Sequence, residues 1–307
     1  MKPAGPAGLA GPVGPAGLVG LVGPVIIPER HNYIAVFLTL ACNLKCSYCI
    51  NHFGEDGPAV EHLDGEEWVE ALNRIESRPD LPLTLQGGEP SLHKDFIYIL
   101  NNIKPTLAID ILTNLQFDAD EFIANVDPAR IKRDSPYASI RVSYHPEVME
   151  LKPLAEKVLK LQKAGFSIGI WGVMHPAQEA HILESQKYCK GLGIDFRLKE
   201  FLGEYKGKMY GTYRYEGACE RRFARRVECR TSELIVGGDG GVYRCHSDLY
   251  EGRPAIGNIT KADFEIDNAF RGCDFFGQCN PCDIKVKTNR LQEFGHTSVE
   301  ISGGDNA

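Results

Sequence analysis

The sequence predicts an α/β fold: a parallel sheet, open or curled into a partial barrel, followed by a small cysteine-rich α+β region. Three observations predict it. From Tyr33 to about residue 200, apolar β-rich runs alternate with helix-patterned segments. After that the alternation stops. The cysteines gather at two places, one just after the first strand and one in the last third of the chain.

The strand runs are Ile34–Leu40, Leu83–Leu85, Leu107–Leu112, Ser139–Ser143, Ser167–Val173 and Ile194–Leu198. Each is rich in β-branched residues and bounded by polar or glycine-bearing segments. Between them, Glu66–Ile75 carries Trp68, Val69, Leu72 and Ile75 at helical spacing, with Asp64 placed to cap it. Leu154–Ala164 and Glu179–Leu192 read the same way. Repeated β-α units of this length call for parallel strands with crossover helices. Beyond residue 200, Ser232–Val236 and Gly241–Cys245 flank Gly-Gly-Asp-Gly and predict a β-hairpin. Lys261–Phe270 is expected to be a short helix and Cys273–Cys282 a loop. This region has too little apolar content for a core of its own, so a bound metal would help hold it.

The residues before Tyr33 stand apart. Glycine recurs at every third position from Gly5 to Gly23, a collagen-type period, and a disordered or extended tail is expected there. The expected organisation is therefore 1–30 as a Gly/Pro-rich tail, 31–205 as the α/β core and 206–307 as the cysteine-rich region.

Composition excludes some classes of function. In 307 residues, 43% are hydrophobic and 24% charged, as in an ordinary soluble domain. A net charge of −7 gives no reason to expect a nucleic-acid partner. Pro3–Pro28 is uncharged, but its prolines and glycines break any membrane-spanning helix. Ten cysteines are too few for a disulfide scaffold of this length. Their clustering fits metal ligands in a reducing compartment, and so a cytoplasmic protein.

Ala41-Cys42-Asn43-Leu44-Lys45-Cys46-Ser47-Tyr48-Cys49 directly follows the first strand. Three thiolates at C-x3-C-x2-C can wrap one face of an iron–sulfur cluster, whose 4Fe–4S form takes four ligands. Three leave one iron open, which is where a substrate or cofactor binds. Zinc is the alternative, but it usually takes paired C-x2-C units with a fourth ligand, and no fourth ligand is found near this loop. At the end of the second strand, Gly87-Gly88-Glu89-Pro90 offers close backbone approach and a carboxylate for an ammonium group. Thr113-Asn114 ends the third strand and Ser143-Tyr144-His145 the fourth, while Ile168-Gly169-Ile170-Trp171-Gly172 lies on the fifth.

This ordered set resembles the radical S-adenosylmethionine (SAM) superfamily over about residues 33–200. The resemblance implies a partial (βα)6, TIM-like barrel and a 4Fe–4S cluster held by Cys42, Cys46 and Cys49. It also implies that SAM chelates the open iron and is cleaved reductively to a 5′-deoxyadenosyl radical. Gly87, Gly88 and Glu89 are implied at the amino group of SAM, Asn114 and Ser143 at its carboxylate or ribose, and Tyr48 and Ile170 by the adenine. A flavodoxin- or ferredoxin-type reductant is implied as partner, together with a small-molecule or peptide substrate.

Cys229, Gly240 and Cys245 stand as C-x10-G-x4-C, and Cys279 and Cys282 follow as C-x2-C. The pattern resembles the shortened auxiliary-cluster domain called twitch, related to the longer SPASM domain. It implies a second 4Fe–4S cluster on Cys229, Cys245, Cys279 and Cys282. Four thiolates saturate a cluster, which suits electron transfer. Cys273 complicates the set, because C-x5-C-x2-C supplies three late ligands, and a four-cysteine zinc site is the alternative. Cys219 and Cys273 are left over and are candidate hydrogen donors to a substrate radical. Three reactions stay open: a two-electron oxidation of a small polar substrate such as a polyol, aminosugar or nucleotide; epimerisation; and peptide maturation. A non-catalytic metal-binding protein is the remaining alternative. The absence of room for a leader-binding domain before Tyr33 favours the small substrate.

Overall fold

The computed structural model describes residues 23–51, 62–287 and 295–302. The glycine-triplet tail lies outside them except for Gly23. Six parallel strands form in sequence: β1 (Ile34–Thr39), β2 (Leu83–Gly87), β3 (Ile109–Thr113), β4 (Ile140–Tyr144), β5 (Ile168–Met174) and β6 (Phe196–Glu200). They pair in that order across the sheet, with no reversal of strand order. Right-handed crossovers in one continuous direction put every connecting helix on one face. The other face is left to line a cavity, as in a barrel.

Side-chain alternation along the strands matches this division. Ile34, Val36, Leu38, Leu83, Leu85, Ile109, Ile111, Ile140, Val142, Ile168, Ile170 and Phe196 are buried in one apolar core on the helix side. The intervening residues are more polar: Thr84, Gln86, Asp110, Arg141, Ser143, Arg197 and Lys199. A two-residue period therefore separates a core face from a cavity face. The helices packed on the core face include α1 (Gly65–Asn73), α2 (Phe96–Asn102), α3 (Ala119–Asn125), α4 (Leu151–Lys163) and α5 (Glu179–Gly191). Asp64 caps α1 reciprocally with Glu67, each side chain accepting from the other residue's backbone N–H at 2.9 Å. Ile75 ends outside α1, in a two-residue strand beside Val25–Ile26.

The last third is divided between the main sheet and a three-stranded sheet of its own. After β7 (Arg225–Thr231), the hairpin β8 (Leu234–Val236) and β9 (Gly241–Tyr243) forms as anticipated, with β10 (Gly257–Asn258) beyond it. But β8 pairs parallel with β1, so the hairpin extends the main sheet to nine strands. Behind it, α6 (His246–Tyr250) covers the hairpin. Lys261–Phe270 holds no helix. Phe264 and Ile266, two residues apart, instead pack on the main core, a spacing that an extended strap satisfies and a helix does not. Cys273–Cys282 is not a loop throughout, because β11 (Arg271–Phe276) pairs antiparallel with β7, and α7 (Pro281–Ile284) follows. β12 (Val299–Ser302) pairs with the other edge of β7. Among the described residues no helix is long and apolar enough to cross a membrane.

Candidate functional site

A cavity of about 600 Å³ opens on the inner face of β1–β6. Cys42, Cys46 and Cys49 line it from the loop after β1, as do Tyr48, Gly87, Gly88, Glu89, Asn114 and Ser143. Strand-end and loop positions far apart in the chain thus meet in one space. Ile170 does not line it. That side chain is fully buried in the helix-side core, and its neighbours Trp171 and Val173 face the cavity instead. The correction follows from the two-residue period of a strand.

Glu89 is the most tightly built residue of the site, only 1% exposed. One carboxylate oxygen accepts from the Ser91 hydroxyl and the Thr113 hydroxyl, both at 2.7 Å, and from Ser91 N–H at 3.2 Å. The other accepts from Asn114 N–H at 2.6 Å. Burial raises the carboxyl above its ordinary range, and these hydrogen bonds oppose the rise. Gly87 and Gly88 have a stricter cause than ligand access. A Cβ at Gly87 would overlap the Thr39 carbonyl oxygen, and one at Gly88 that of Ala41. The close approach lets Gly88 N–H donate to Thr39 O at 3.0 Å and Glu89 N–H to Ala41 O at 2.8 Å, which docks the glycine turn onto the cysteine loop. The Asn114 amide donates to Asn43 Oδ1 at 2.7 Å and adds a third tie. Leu115, next in sequence, takes a positive φ of 59° while fully buried, so the end of β3 is bent against ordinary backbone preference.

The cysteine loop is also anchored at its far end. Glu147 accepts from the Ser47 hydroxyl at 2.8 Å and from Ser47 N–H at 2.5 Å. The Tyr48 ring stacks on His175 at 5.1 Å, and its hydroxyl meets His145 Nδ1 at 3.1 Å. Burial pulls His145 down to about 4, so this imidazole is neutral near pH 7. Burial pushes the Cys46 thiol up to about 12 and raises that of Cys42. Thiols of this kind ionise when a metal ion's charge compensates them.

Among the described residues no three His, Cys, Asp or Glu side chains converge on a single metal-ion position. A cluster asks for something different, since each thiolate binds a separate iron. Three thiols on one short loop, at the lip of a cavity, fit that demand. They do not make the closed four-ligand shell of structural zinc.

The late cysteines form a second group. Cys229, Cys245 and Cys273 are buried in a small apolar cluster with Ala218, Val227, Phe276, Ile284 and Val299, and Cys219 and Cys279 pack against it. Cys229 on β7 and Cys273 on β11 share a hydrogen bond, which eases loss of the pair's first proton and opposes loss of the second. The Cys219 thiol donates to the Cys279 carbonyl at 3.1 Å. Cys282 lines the main cavity and is near enough to Cys219 to help raise its thiol. Asn280, between Cys279 and Cys282, donates to the Ile50 carbonyl at 3.0 Å and so joins the second cysteine group to the first loop. Neither Cys219 nor Cys273 lines the cavity.

The sequence reading missed several cavity residues: Gln86, Arg141, Arg197, Lys199 and Tyr250. Alternation from the buried positions of β4–β6 carried the signal for most of them. His246 also lines the cavity and is fixed by Asp283 at 2.8 Å.

Comparison with known proteins agrees with this geometry. The model of the Radical SAM superfamily matches residues 36–174. The chain is 28% identical over 183 residues to a GTP 3′,8-cyclase of Nautilia profundicola, covering 56% of each protein. It is 26% identical over 206 residues to the tungsten-containing aldehyde ferredoxin oxidoreductase cofactor-modifying protein of Pyrococcus furiosus, covering 61% of this chain and 56% of that one. The chain thus spans little more than half the length of these relatives. Among solved structures, Streptococcus suis SuiB bound to the precursor peptide SuiA aligns with a TM-score of 0.52 at 15% identity, over 78% of this chain and 63% of that one. The histidine-tagged anSMEcpe with bound AdoMet aligns with a TM-score of 0.50 at 18% identity, over 78% of each chain. At these identities the structural likeness is one of fold. The matched region holds the cysteine loop, the Gly-Gly-Glu turn and nearly all of the first five strands, so residues 36–174 of this chain are a radical SAM domain.

Proposed function

We propose that this chain binds a 4Fe–4S cluster on Cys42, Cys46 and Cys49, cleaves SAM reductively, and abstracts hydrogen from a small polar substrate held in the cavity. The observation that carries the reading is the convergence of the three thiols and the Glu89 carboxylate on one cavity. When bound, the cluster and SAM together supply the 5′-deoxyadenosyl radical. The chain's own residues do the rest. Glu89, oriented by Ser91, Thr113 and Asn114, offers its charge to the SAM ammonium group. Ser143 stands in register beside Trp171 and is placed for the ribose. Trp171 and Val173, in place of Ile170, supply apolar surface on β5. Tyr48, held by His145 and His175, keeps the loop closed over the cavity.

A second 4Fe–4S cluster in the 206–307 region is part of the proposal. Its support is the gathering of Cys229, Cys245, Cys273 and Cys279 around one apolar cluster, with Cys282 between them and the cavity. A saturated cluster there suits removal of the second electron from a substrate radical, and so a two-electron oxidation. Epimerisation is the other reading. Cys282 is the late cysteine that lines the cavity, so it replaces Cys219 and Cys273 as the better-placed hydrogen donor if it is not a ligand. A flavodoxin- or ferredoxin-type protein would supply the reducing electron.

The test is anaerobic reconstitution followed by dithionite and SAM. Formation of 5′-deoxyadenosine, abolished in Cys42→Ala, is the expected result; none from a chain loaded with iron and sulfide overturns the proposal. Turnover in heavy water then separates the reactions. Deuterium retained on product carbon supports a thiol donor, and its absence from an oxidised product supports the auxiliary cluster.

A further inference from the structure

The wall formed by β4–β6 carries a charge pattern that neither the cysteine loop nor Glu89 requires. In a chain of net charge −7, cations outnumber carboxylates six to two among the cavity-lining residues. Lys285 and Lys287 follow closely on Cys282 and can balance the charge of the late cysteines, and Lys45 belongs to the first loop. Arg141, Arg197 and Lys199 stand on strands that carry no cysteine. They are inward-facing residues of β4 and β6, on either side of Trp171 and Val173, in register as Trp171 with Arg197 and Val173 with Lys199.

Of the three, Arg141 is buried, and Arg197 and Lys199 are half-buried. Arg141 is 8% exposed, and it shares the single carboxylate of Asp110 with Arg133, which holds both oxygens at 2.8 and 2.9 Å. The three groups together keep one positive charge. The Arg141 Nε is buried and has no hydrogen-bond acceptor among the described residues. A buried guanidinium N–H without an acceptor is costly, and a ligand oxygen is one way to meet it. Arg141 lies over the Tyr137 ring at 5.4 Å and Arg197 over Trp171 at 5.8 Å, so the aromatic faces set both guanidinium planes. Arg197 also binds Asp195 at 2.8 Å and the Pro136 carbonyl, which restricts it further.

Location separates this group from the amino-acid end of SAM. Register places Arg141 level with Leu112, hence with Gln86, three residues short of Glu89, or about 10 Å along the strand. Arg197 is four strands from β2, roughly 19 Å measured along the sheet. We infer that the substrate of this cavity carries an oxyanion, phosphate or carboxylate, which docks against Arg141, Arg197 and Lys199 on the β4–β6 wall. Planar guanidinium groups on rigid strands suit bidentate recognition of either group. The substrate is then elongated, with its anionic end on that wall and its reacting carbon toward the cysteine loop. The inference rests on the proposed reaction for the meaning of the word substrate, but anion binding is measurable without turnover.

The experiment is calorimetric titration of the full chain, anaerobically reconstituted with SAM present, at fixed ionic strength. Pyrophosphate and citrate are the probes, with sodium chloride as the reference titrant. Saturable binding of one probe is expected, and the one that binds identifies phosphate or carboxylate. Arg197→Gln, whose side chain is partly exposed, should weaken it roughly ten-fold or more, while Lys94→Gln on the outer surface keeps parental affinity. No saturable binding of either probe overturns the inference, and so does equal affinity in Arg197→Gln. Formation of 5′-deoxyadenosine by the same sample keeps the two claims apart. Cleavage without anion binding refutes the oxyanion alone, and anion binding without cleavage supports it while refuting the reaction.

Discussion

Replacing Glu89 with glutamine tests the site where stability and ligand binding pull in different directions. The side chain keeps its volume, so no cavity opens. It loses one acceptor, because an amide NH2 must face either Asn114 N–H or the side shared by Ser91 N–H and the two hydroxyls. The hydroxyls can rotate to accept, but the backbone N–H groups cannot. One buried N–H is therefore stranded, at a cost of about 1–3 kcal/mol. The opposite contribution comes from the charge itself. Burial raises the Glu89 carboxyl in the folded chain, so its stabilising contribution is present at low pH and is lost as pH rises through the folded pKa. Near neutral pH glutamine removes that cost. The two effects oppose one another, and the net destabilisation should stay below about 2 kcal/mol. SAM binding has no such compensation, since a charge-assisted hydrogen bond of about 1.5–3 kcal/mol disappears, or roughly ten- to a hundred-fold in affinity. Urea unfolding and equilibrium dialysis with labelled SAM measure the two separately. Affinity within three-fold of the parent chain, or a loss that merely tracks unfolding, would refute the assignment of Glu89 to the ammonium group.

The Cys42→Ala, Cys46→Ala, Cys49→Ala variant should retain roughly four irons and four sulfides after reconstitution; a folded chain with no iron would show that the late cysteines hold no cluster. In that background Cys273→Ala and Cys282→Ala, compared by iron content, decide which of the two completes the ligand set. Asp110→Asn leaves the Arg133 and Arg141 guanidinium groups without their shared carboxylate and should cost about 3–5 kcal/mol in urea unfolding. His31 is fully buried, with both ring nitrogens unpaired among the described residues, and burial lowers it to about 4. A depressed histidine means that the unfolded chain binds the proton first, so stability is lost as pH falls from about 6.5 toward 4, on the order of 3 kcal/mol in all. His31→Leu should flatten that part of the stability–pH curve, and an unchanged slope would refute the attribution.

Much of the core was legible because its signals are local. Strand runs such as Ile34–Leu40 and the Asp64 cap depend on a few adjacent residues, and they were misplaced by two or three positions at most. The cysteine loop and the Gly-Gly-Glu turn were legible for the same reason. What failed depended on facing. Ile170 was chosen for being apolar, yet an apolar residue on a β-α strand belongs under the helices, and the cavity takes the alternate positions, charged ones included. Lys261–Phe270 failed because its apolar residues serve a distant core, and no local pattern records which surface an extended strap will cover. The Arg141–Asp110–Arg133 group joins residues from three segments, which spacing alone does not bring together.

The pairing of β8 with β1 changes what the last third of the chain is for. The inner face of β1, with Tyr33, Ala35 and Phe37, is covered by Ile235, Tyr243 and Leu249 in a core of its own. Without that cover, β1 would be an exposed edge strand with an apolar inner face, beside the cysteine loop it carries. Among the described residues, the cluster around Cys229, Cys245 and Cys273 has Ala218, Val227, Phe276, Ile284 and Val299 as buried apolar partners, too few to order a domain alone. Each part thus supplies what the other lacks. The hairpin closes the edge that positions Cys42, Cys46 and Cys49, and the sheet gives the cysteine-rich segment a rigid support. Asn280 then fixes the spacing, since its bond to the Ile50 carbonyl lies one residue from Cys49 on one side and between Cys279 and Cys282 on the other. Cys229 and Cys273 lie on a three-stranded sheet distinct from the nine-stranded one, so in the proposed two-cluster chain this hydrogen bond is one of the contacts that would hold the two cysteine groups at a set distance.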